Sequence, residues 1–227
     1  MPPLPVLRPK ALVSWSSGKD SAFALHEVRR AGELEVVGLL TSITSEFGRV
    51  SMHGVREELL DRQTNLAGLV CHKVRLPWPC PNEVYEREMR ALLDAAKMRG
   101  VTHVVFGDLF LEDIRVYREA RMAEAGMTPV FPLWGRPTAA LVDDMLAAGV
   151  EATITCLDPK KLDRSFAGRA IDRALLDALP AGVDPCGENG EFHTFVTAGP
   201  MLRGSIAVSR GDVVERDGFV FADLLPS

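Results

Sequence analysis

Eight residues near the amino terminus carry the side-chain types needed to hold a polyanion: Ser14-Trp15-Ser16-Ser17-Gly18-Lys19-Asp20-Ser21. They sit between an apolar run and a run with helical periodicity. Small residues let the backbone approach an anion, and successive N–H groups and a helix N-terminus can point at it. The hydroxyls of Ser16, Ser17 and Ser21 add donors, Lys19 adds a positive charge, and Asp20 suits a magnesium ion bridging phosphates. A Walker A loop needs glycine at position 13 and Ser or Thr after the lysine; Val13 and Asp20 stand there and exclude that class. The same types also suit the N-cap of a structural helix, so residue types alone leave both readings open.

Three further constellations bear on chemistry. Gly107-Asp108 follows an apolar run; Asp108 and Glu112 can bind a metal or orient an acceptor and Arg115 can steady an anion, although acids in a first helical turn also merely complement the dipole. His53 and Arg56 flank Gly54. If that loop folds over a nucleotide, His53 donates to phosphate and Arg56 stabilises departing negative charge; a surface histidine and a solvated arginine are the plainer reading. In Glu188-Asn189-Gly190-Glu191-Phe192-His193-Thr194, Asn189-Gly190 signals a type I′ hairpin. The polar residues around it read as a substrate platform, with Glu191 binding an attacking amine or acting as a base.

The elements that must position these residues alternate. Strand-like runs at Ala11–Trp15, Glu35–Thr41, Leu69–Val74 and His103–Phe106 alternate with helical runs at Ser21–Ala31, Val55–Ala67, Asn82–Arg99 and Ile114–Ala125. Such βαβα order predicts an α/β fold, a parallel sheet with helices on both faces, whose ligands collect at the carboxyl ends of the strands. The loop after Thr41 is one such place, where backbone near Leu40 to Ser42 can read the edge of a ligand. After residue 128 the texture changes to helices at Ala139–Ala148 and Gly168–Leu179, a strand at Ala152–Cys156 and short hairpin-like runs. The expected division is residues 1–128, the α/β half, and residues 129–227, a smaller α+β domain.

Composition narrows the class. Of 227 residues, 47% are hydrophobic and 25% charged, as in ordinary globular chains. No apolar run approaches membrane-spanning length. Met1 to Lys10 carries four prolines, which interrupt any secretory h-region, so a cytoplasmic location without membrane partners is expected. Residues 1–127 hold 17 basic and 17 acidic side chains, the remainder 9 and 14; this argues against a nucleic-acid partner, which calls for a basic surface. Cys71, Cys80, Cys156 and Cys186 form no C-x-x-C pair and read as reduced thiols.

The loop resembles the S-G-G-x-D-S loop of N-type ATP pyrophosphatases, the PP-loop family, with Ser17 in place of the first glycine. Asp184-Pro185-Cys186-Gly187-Glu188-Asn189-Gly190-Glu191-Phe192-His193-Thr194 resembles the G-E-G-G-E-Y-E-T signature of diphthine-ammonia ligases. Pro132-Leu133-Trp134-Gly135 and Leu162-Asp163 to Asp172 resemble further segments of that family. Gly107 to Arg115 and Ser51 to Arg56 look more like its bacterial branch, so the ATP chemistry transfers more safely than the acceptor. The resemblance implies a HUP-type sheet, ATP and Mg2+, and a ligase that adenylates an unidentified carboxylate acceptor, releases pyrophosphate and forms an amide with ammonia or an amine. It implies Lys19, Asp108, Glu188 and Glu191 as catalytic, Asp20 as metal-binding, and Ser14, Ser16, Ser17, Gly18, Lys19, Asp20, Ser21, Thr41, Ser42, His53, Arg56 and Gly107 as nucleotide-binding. A nucleotide sensor and an RNA thiolase are the alternatives, the latter disfavoured by the missing C-x-x-C; a homodimer stays open.

Overall fold

The computed structural model describes residues 8–227; most of the proline-rich start, where a targeting segment was sought, lies outside them. The first sheet contains β1 (Lys10–Ser14), β2 (Glu35–Thr44), β3 (Arg49–Val50), β4 (Cys71–Leu76), β5 (Val101–Val105) and β6 (Thr128–Val130). The parallel order is β6-β5-β1-β2-β4, and β3 pairs antiparallel with the end of β2 beyond Leu40, where β1 has stopped. Order reverses at β1, so the loops after β1 and β5 face one another across a crevice.

The connecting helices are α1 (Lys19–Ala31), α2 (Glu57–Ala67), α3 (Asn82–Met98) and α4 (Glu112–Ala125). Gly32 ends α1 at φ 69° and Gly68 ends α2 at φ 68°, the left-handed conformation glycine adopts without penalty. Two cores result. Leu12, Leu40, Val74, Leu93, Val104 and Met122 form the layer under α3 and α4, whereas Val13, Leu39, Ile43, Phe23, Leu59 and Leu60 face the other way. Alternation along β1 and β2 therefore sends successive residues into different cores, as a sheet covered on both faces requires.

The second layer continues into the rest of the chain. An antiparallel sheet of β7 (Glu151–Leu157), β8 (Phe192–Ala198), β9 (Val208–Arg216) and β10 (Phe219–Pro226) runs in the order β8-β7-β10-β9, flanked by α5 (Thr138–Ala147) and α6 (Arg173–Ala178). Ile154, Phe192, Phe195 and Val220 share one apolar cluster with Phe23 and Leu59. Among the described residues no helix is long and apolar enough to cross a membrane.

Two expectations need correction. The run expected as a helix over Gly168–Leu179 is helical only at Arg173–Ala178. Gly168 N–H donates to Ile154 O at 2.9 Å, Ile154 N–H to Arg169 O at 2.9 Å and Ile171 N–H to Ala152 O at 2.8 Å. Tertiary pairing along β7 thus claims the backbone that a helix would need, and the Asp172 carboxylate caps the shorter helix from Leu175 N–H at 2.7 Å. Asn189-Gly190 is likewise no type I′ hairpin: only Gly190 of the two has positive φ, at 80°, and the turn leads into β8 from a loop. The partner of β8 is β7, more than thirty residues away in sequence.

Candidate functional site

The loop after β1 is stitched to β8. Ser17 O accepts from Val196 N–H at 3.0 Å and from Gln63 Nε2 at 3.1 Å, and Lys19 N–H donates to Thr194 Oγ1 at 3.0 Å. Gln63, on the buried stripe of α2, also donates to Val196 O at 2.7 Å and accepts from Trp15 Nε1 at 2.8 Å. Ser17 adopts φ 68° and is fully buried. That left-handed backbone explains why glycine suits this position, and the Ser17 hydroxyl finds no partner among the described residues.

Gly107 closes the crevice from β5. A Cβ there would stand 2.8 Å from Asp20 C and from Ser21 N, so only glycine lets this loop lie on the first turn of α1. The resulting cleft, of about 220 Å³, is lined by Ser14, Ser16, Lys19, Asp20, Ser21, His53, Gly107, Asp108 and Glu188 among the expected residues. Phe106, Arg118, Gly187, Phe192, His193 and Thr194 complete it.

Charge in the cleft is arranged around Lys19. Its ammonium, 2% exposed, binds both Asp20 oxygens at 2.9 and 3.0 Å and the Cys186 carbonyl. Burial works against the charge, but the Asp20 carboxylate holds the lysine pKa above its usual value. Glu188 Oε1 accepts from Leu109 N–H at 2.7 Å. Burial, with the carboxylates of Asp20 and Asp108, nevertheless raises Glu188 to about 7. Asp108 is paired with Arg118 Nε at 2.8 Å.

The opposite wall holds two histidines with ring centroids 4.6 Å apart. His53 Nδ1 lies 3.0 Å from Thr194 O, and because a carbonyl only accepts, Nδ1 carries the proton. Burial, reinforced by Lys19, lowers His53 to about 4; burial, His53 and Lys19 lower His193 to about 3. Both rings are neutral at pH 7.

Several expected residues lie elsewhere. Arg56 is held by Asp223 of β10, with Nη2 to Oδ2 at 2.5 Å, and Asp223 also takes Arg49 at 2.8 Å. Glu191 is 3% exposed and is not among the residues that line the cleft; its Oε1 accepts from Asp184 N–H at 3.0 Å and Asn189 Nδ2 at 3.2 Å, and its Oε2 finds no partner among the described residues. Gly18 supports the ring of His53 from beneath, where a Cβ would meet Cε1 at 2.8 Å. Arg115 lies over the rings of Trp134 and Phe131 at 4.6 and 5.1 Å and pairs with Glu119, while Glu112 is exposed. Burial pushes the Cys186 thiol to about 12, which makes it a poor nucleophile.

Thr41 and Ser42 are strand rather than loop, because β2 runs on to Thr44; Thr41 is buried and its hydroxyl finds no partner among the described residues. Beside them, Ser14, Leu40 and Phe106 open a second cavity of about 260 Å³ between α3 and α4, walled by Tyr85, Met89 and Tyr117. It shares Ser14, Phe106 and Arg118 with the first cleft. Arg118 and Gln63 were not singled out from the sequence; a glutamine falling on the buried stripe with Leu59, Leu60 and Ala67 is the signal that would have found the latter.

Residues 9–129 match the family model described as the diphthamide synthase N-terminal domain, and residues 138–221 match the diphthamide synthase C-terminal domain. A diphthine-ammonia ligase of Danio rerio is 24% identical over 229 residues, covering 91% of this chain and 89% of the relative. Two further diphthine-ammonia ligases align over less: that of Bos taurus is 28% identical over 54% of this chain and 48% of its own length, and that of Rattus norvegicus 27% over 62% and 53%. With the loop after β1 and the signature before β8 meeting in one cleft, and family models matching across both sheets, the chain belongs to the diphthamide synthase family.

Proposed function

We propose that the protein is an ATP-dependent carbon-nitrogen ligase, with residues 1–128 binding the nucleotide and residues 129–227 serving the acceptor. The observation that carries this reading is the single cleft uniting the N-terminus of α1, Lys19 and Asp20 with Glu188 and His193 from the other sheet. The phosphates lie at the first turn of α1, where helix N–H groups and Lys19 offset their charge, and the base enters the adjoining cavity at Ser14, Leu40 and Phe106. Asp20, partly exposed at the cleft and paired through both oxygens with Lys19, would hold a magnesium ion once that ammonium turns to the phosphates, since such ions take one or two protein carboxylates. The ion would neutralise phosphate charge.

An acceptor carboxylate oxygen attacks the α-phosphorus, the bond to the bridging oxygen breaks, and pyrophosphate leaves with the negative charge. The nitrogen nucleophile then attacks the acyl carbon, passes a proton to Glu188 and expels AMP. Protein groups contribute alignment and charge stabilisation, while Gly18 and Thr194 keep His53 oriented. Glu191 fixes the turn that presents Glu188.

Chromatography of nucleotide products with a panel of carboxylic acids tests the proposal: AMP and pyrophosphate are expected, whereas stoichiometric ADP and phosphate would overturn it. Calorimetry of Asp20→Ala should show severe loss of magnesium-ATP affinity in a folded chain. A nucleotide sensor has no need of Glu188 and would be indifferent to Glu188→Gln.

A further inference from the structure

A third pocket lies on the far side of the turn that carries His53. Its walls are Phe47 and Trp78 from the first sheet's loops, Met52 from the Ser51–Gly54 turn, and Val214, Phe219 and Phe221 from the β9–β10 hairpin. Four of these are among the most exposed large apolar side chains of the described residues: Phe47 at 40%, Met52 at 55%, Trp78 at 48% and Val214 at 43%. Scattered exposed apolar residues need no explanation, but their collection in one concavity between two sheets marks a binding site.

The chemistry of the walls selects the ligand. The pocket encloses about 180 Å³, and an apolar cavity of roughly 150 Å³ is enough to take up a benzene ring. Phe47 and Trp78 stand 6.3 Å apart at 54°, leaving faces and edges for offset or edge-on contact. A cation is not what it asks for. Four charged side chains line it, Arg49, Arg216, Asp217 and Asp223, and their charges balance; Asp223 is held by Arg49 and Arg56, and the Arg216 guanidinium already covers Phe47 at 4.4 Å.

Position ties this pocket to the chemistry. Met52 and Gly54 line the pocket, and His53 between them lines the phosphate cleft, so the turn is the wall between the two sites. That wall is held stiffly: Met52 has φ 63°, and Gly54, at φ 68°, packs so closely on Phe221 that a Cβ would meet its ring at 2.6 Å. The pocket and the cleft are thus separated by a single turn, with Met52 and Gly54 on one side and His53 on the other.

We propose that this pocket, walled by both halves of the chain and not by residues 129–227 alone, holds the body of the acceptor, and that the acceptor is a carboxylic acid bearing an uncharged planar aromatic or heteroaromatic ring. The ring sits against Phe47, Trp78 and Phe221, and the carboxylate extends past His53 toward the α1 N-terminus. This rests on the ligase reading above, which the following experiment tests separately.

Calorimetry on the full chain with indole-3-acetate, phenylacetate, acetate and tetramethylammonium reads the pocket; titration with magnesium-ATP reads the cleft. Indole-3-acetate should bind at least tenfold tighter than acetate. Phe47→Ala and Trp78→Ala, both at exposed positions, should each weaken it at least fivefold while magnesium-ATP affinity stays within about twofold of the original. Aromatic acids binding no tighter than acetate, binding that survives both substitutions, or a preference for tetramethylammonium would overturn the proposal. Aromatic binding in a chain that fails to bind ATP would sink the ligase reading while still supporting the ring pocket.

Discussion

The backbone N–H of Lys19 donates to Thr194 Oγ1 at 3.0 Å, joining the first residue of α1 to a strand 175 positions away. One donor of the helix N-terminus is therefore spent on the second sheet, and that bond, with the bond from Val196 to Ser17, fixes where β8 presents His193 to the cleft.

Ser17 holds a left-handed backbone and a buried hydroxyl without a partner among the described residues. Ser17→Gly removes both costs and adds only the entropy of a freer unfolded chain, for a net gain of about 1 kcal/mol. Urea unfolding checks this, and an unchanged or lower midpoint counts against the strain. ATP affinity should not fall.

Glu188 is raised to about 7 by burial and by the Asp20 and Asp108 carboxylates. As a base it works only when ionised, so acceptor-dependent turnover should rise with pH through about 7. Glu188→Gln should abolish that limb and lower turnover roughly 100-fold or more, while ATP still binds. A pH profile retaining the limb in the variant would assign it to another group.

Glu191 ties the turn together through its Oε1, and its expected role is to hold that turn. Glu191→Ala strands Asp184 N–H and the Asn189 amide and should lower stability by about 2 kcal/mol. Glu191→Gln keeps the accepting oxygen and should leave both stability and turnover close to the original. A large loss of turnover in a fully stable Glu191→Gln chain would return Glu191 to the reacting atoms.

The histidine pair makes stability pH-dependent. His53 and His193 titrate near 4 and 3 when folded, against 6.5 for a free histidine. The unfolded chain therefore binds more protons between those values, and stability rises with pH across that window. Their contribution is complete above pH 6.5 and fades as pH falls toward 4 and then 3. The double variant His53→Gln/His193→Gln should flatten the dependence of the urea midpoint over this range; a slope identical to the original would show that the pair does not titrate as described.

Sequence by itself determined the parallel α/β half and where the loop after β1 falls, because hydrophobic period and local turn chemistry are short-range properties. Alternation along Ala11–Val13 and the glycines ending α1 and α2 are legible within a few residues. Tertiary structure decided the rest, since it depends on partners distant along the chain. The pairing of Arg56 with Asp223 of β10, and the bond from Asp184 N–H to Glu191 Oε1, are set by the fold and not by any local pattern. Residues 168–171 lost their helix to pairing with β7. Gln63 gained its role only where Trp15, Ser17 and Val196 converge on one buried amide, an outcome that no local pattern encodes because hydrogen bonding in a dry interior is settled by whichever groups the fold brings within 3 Å.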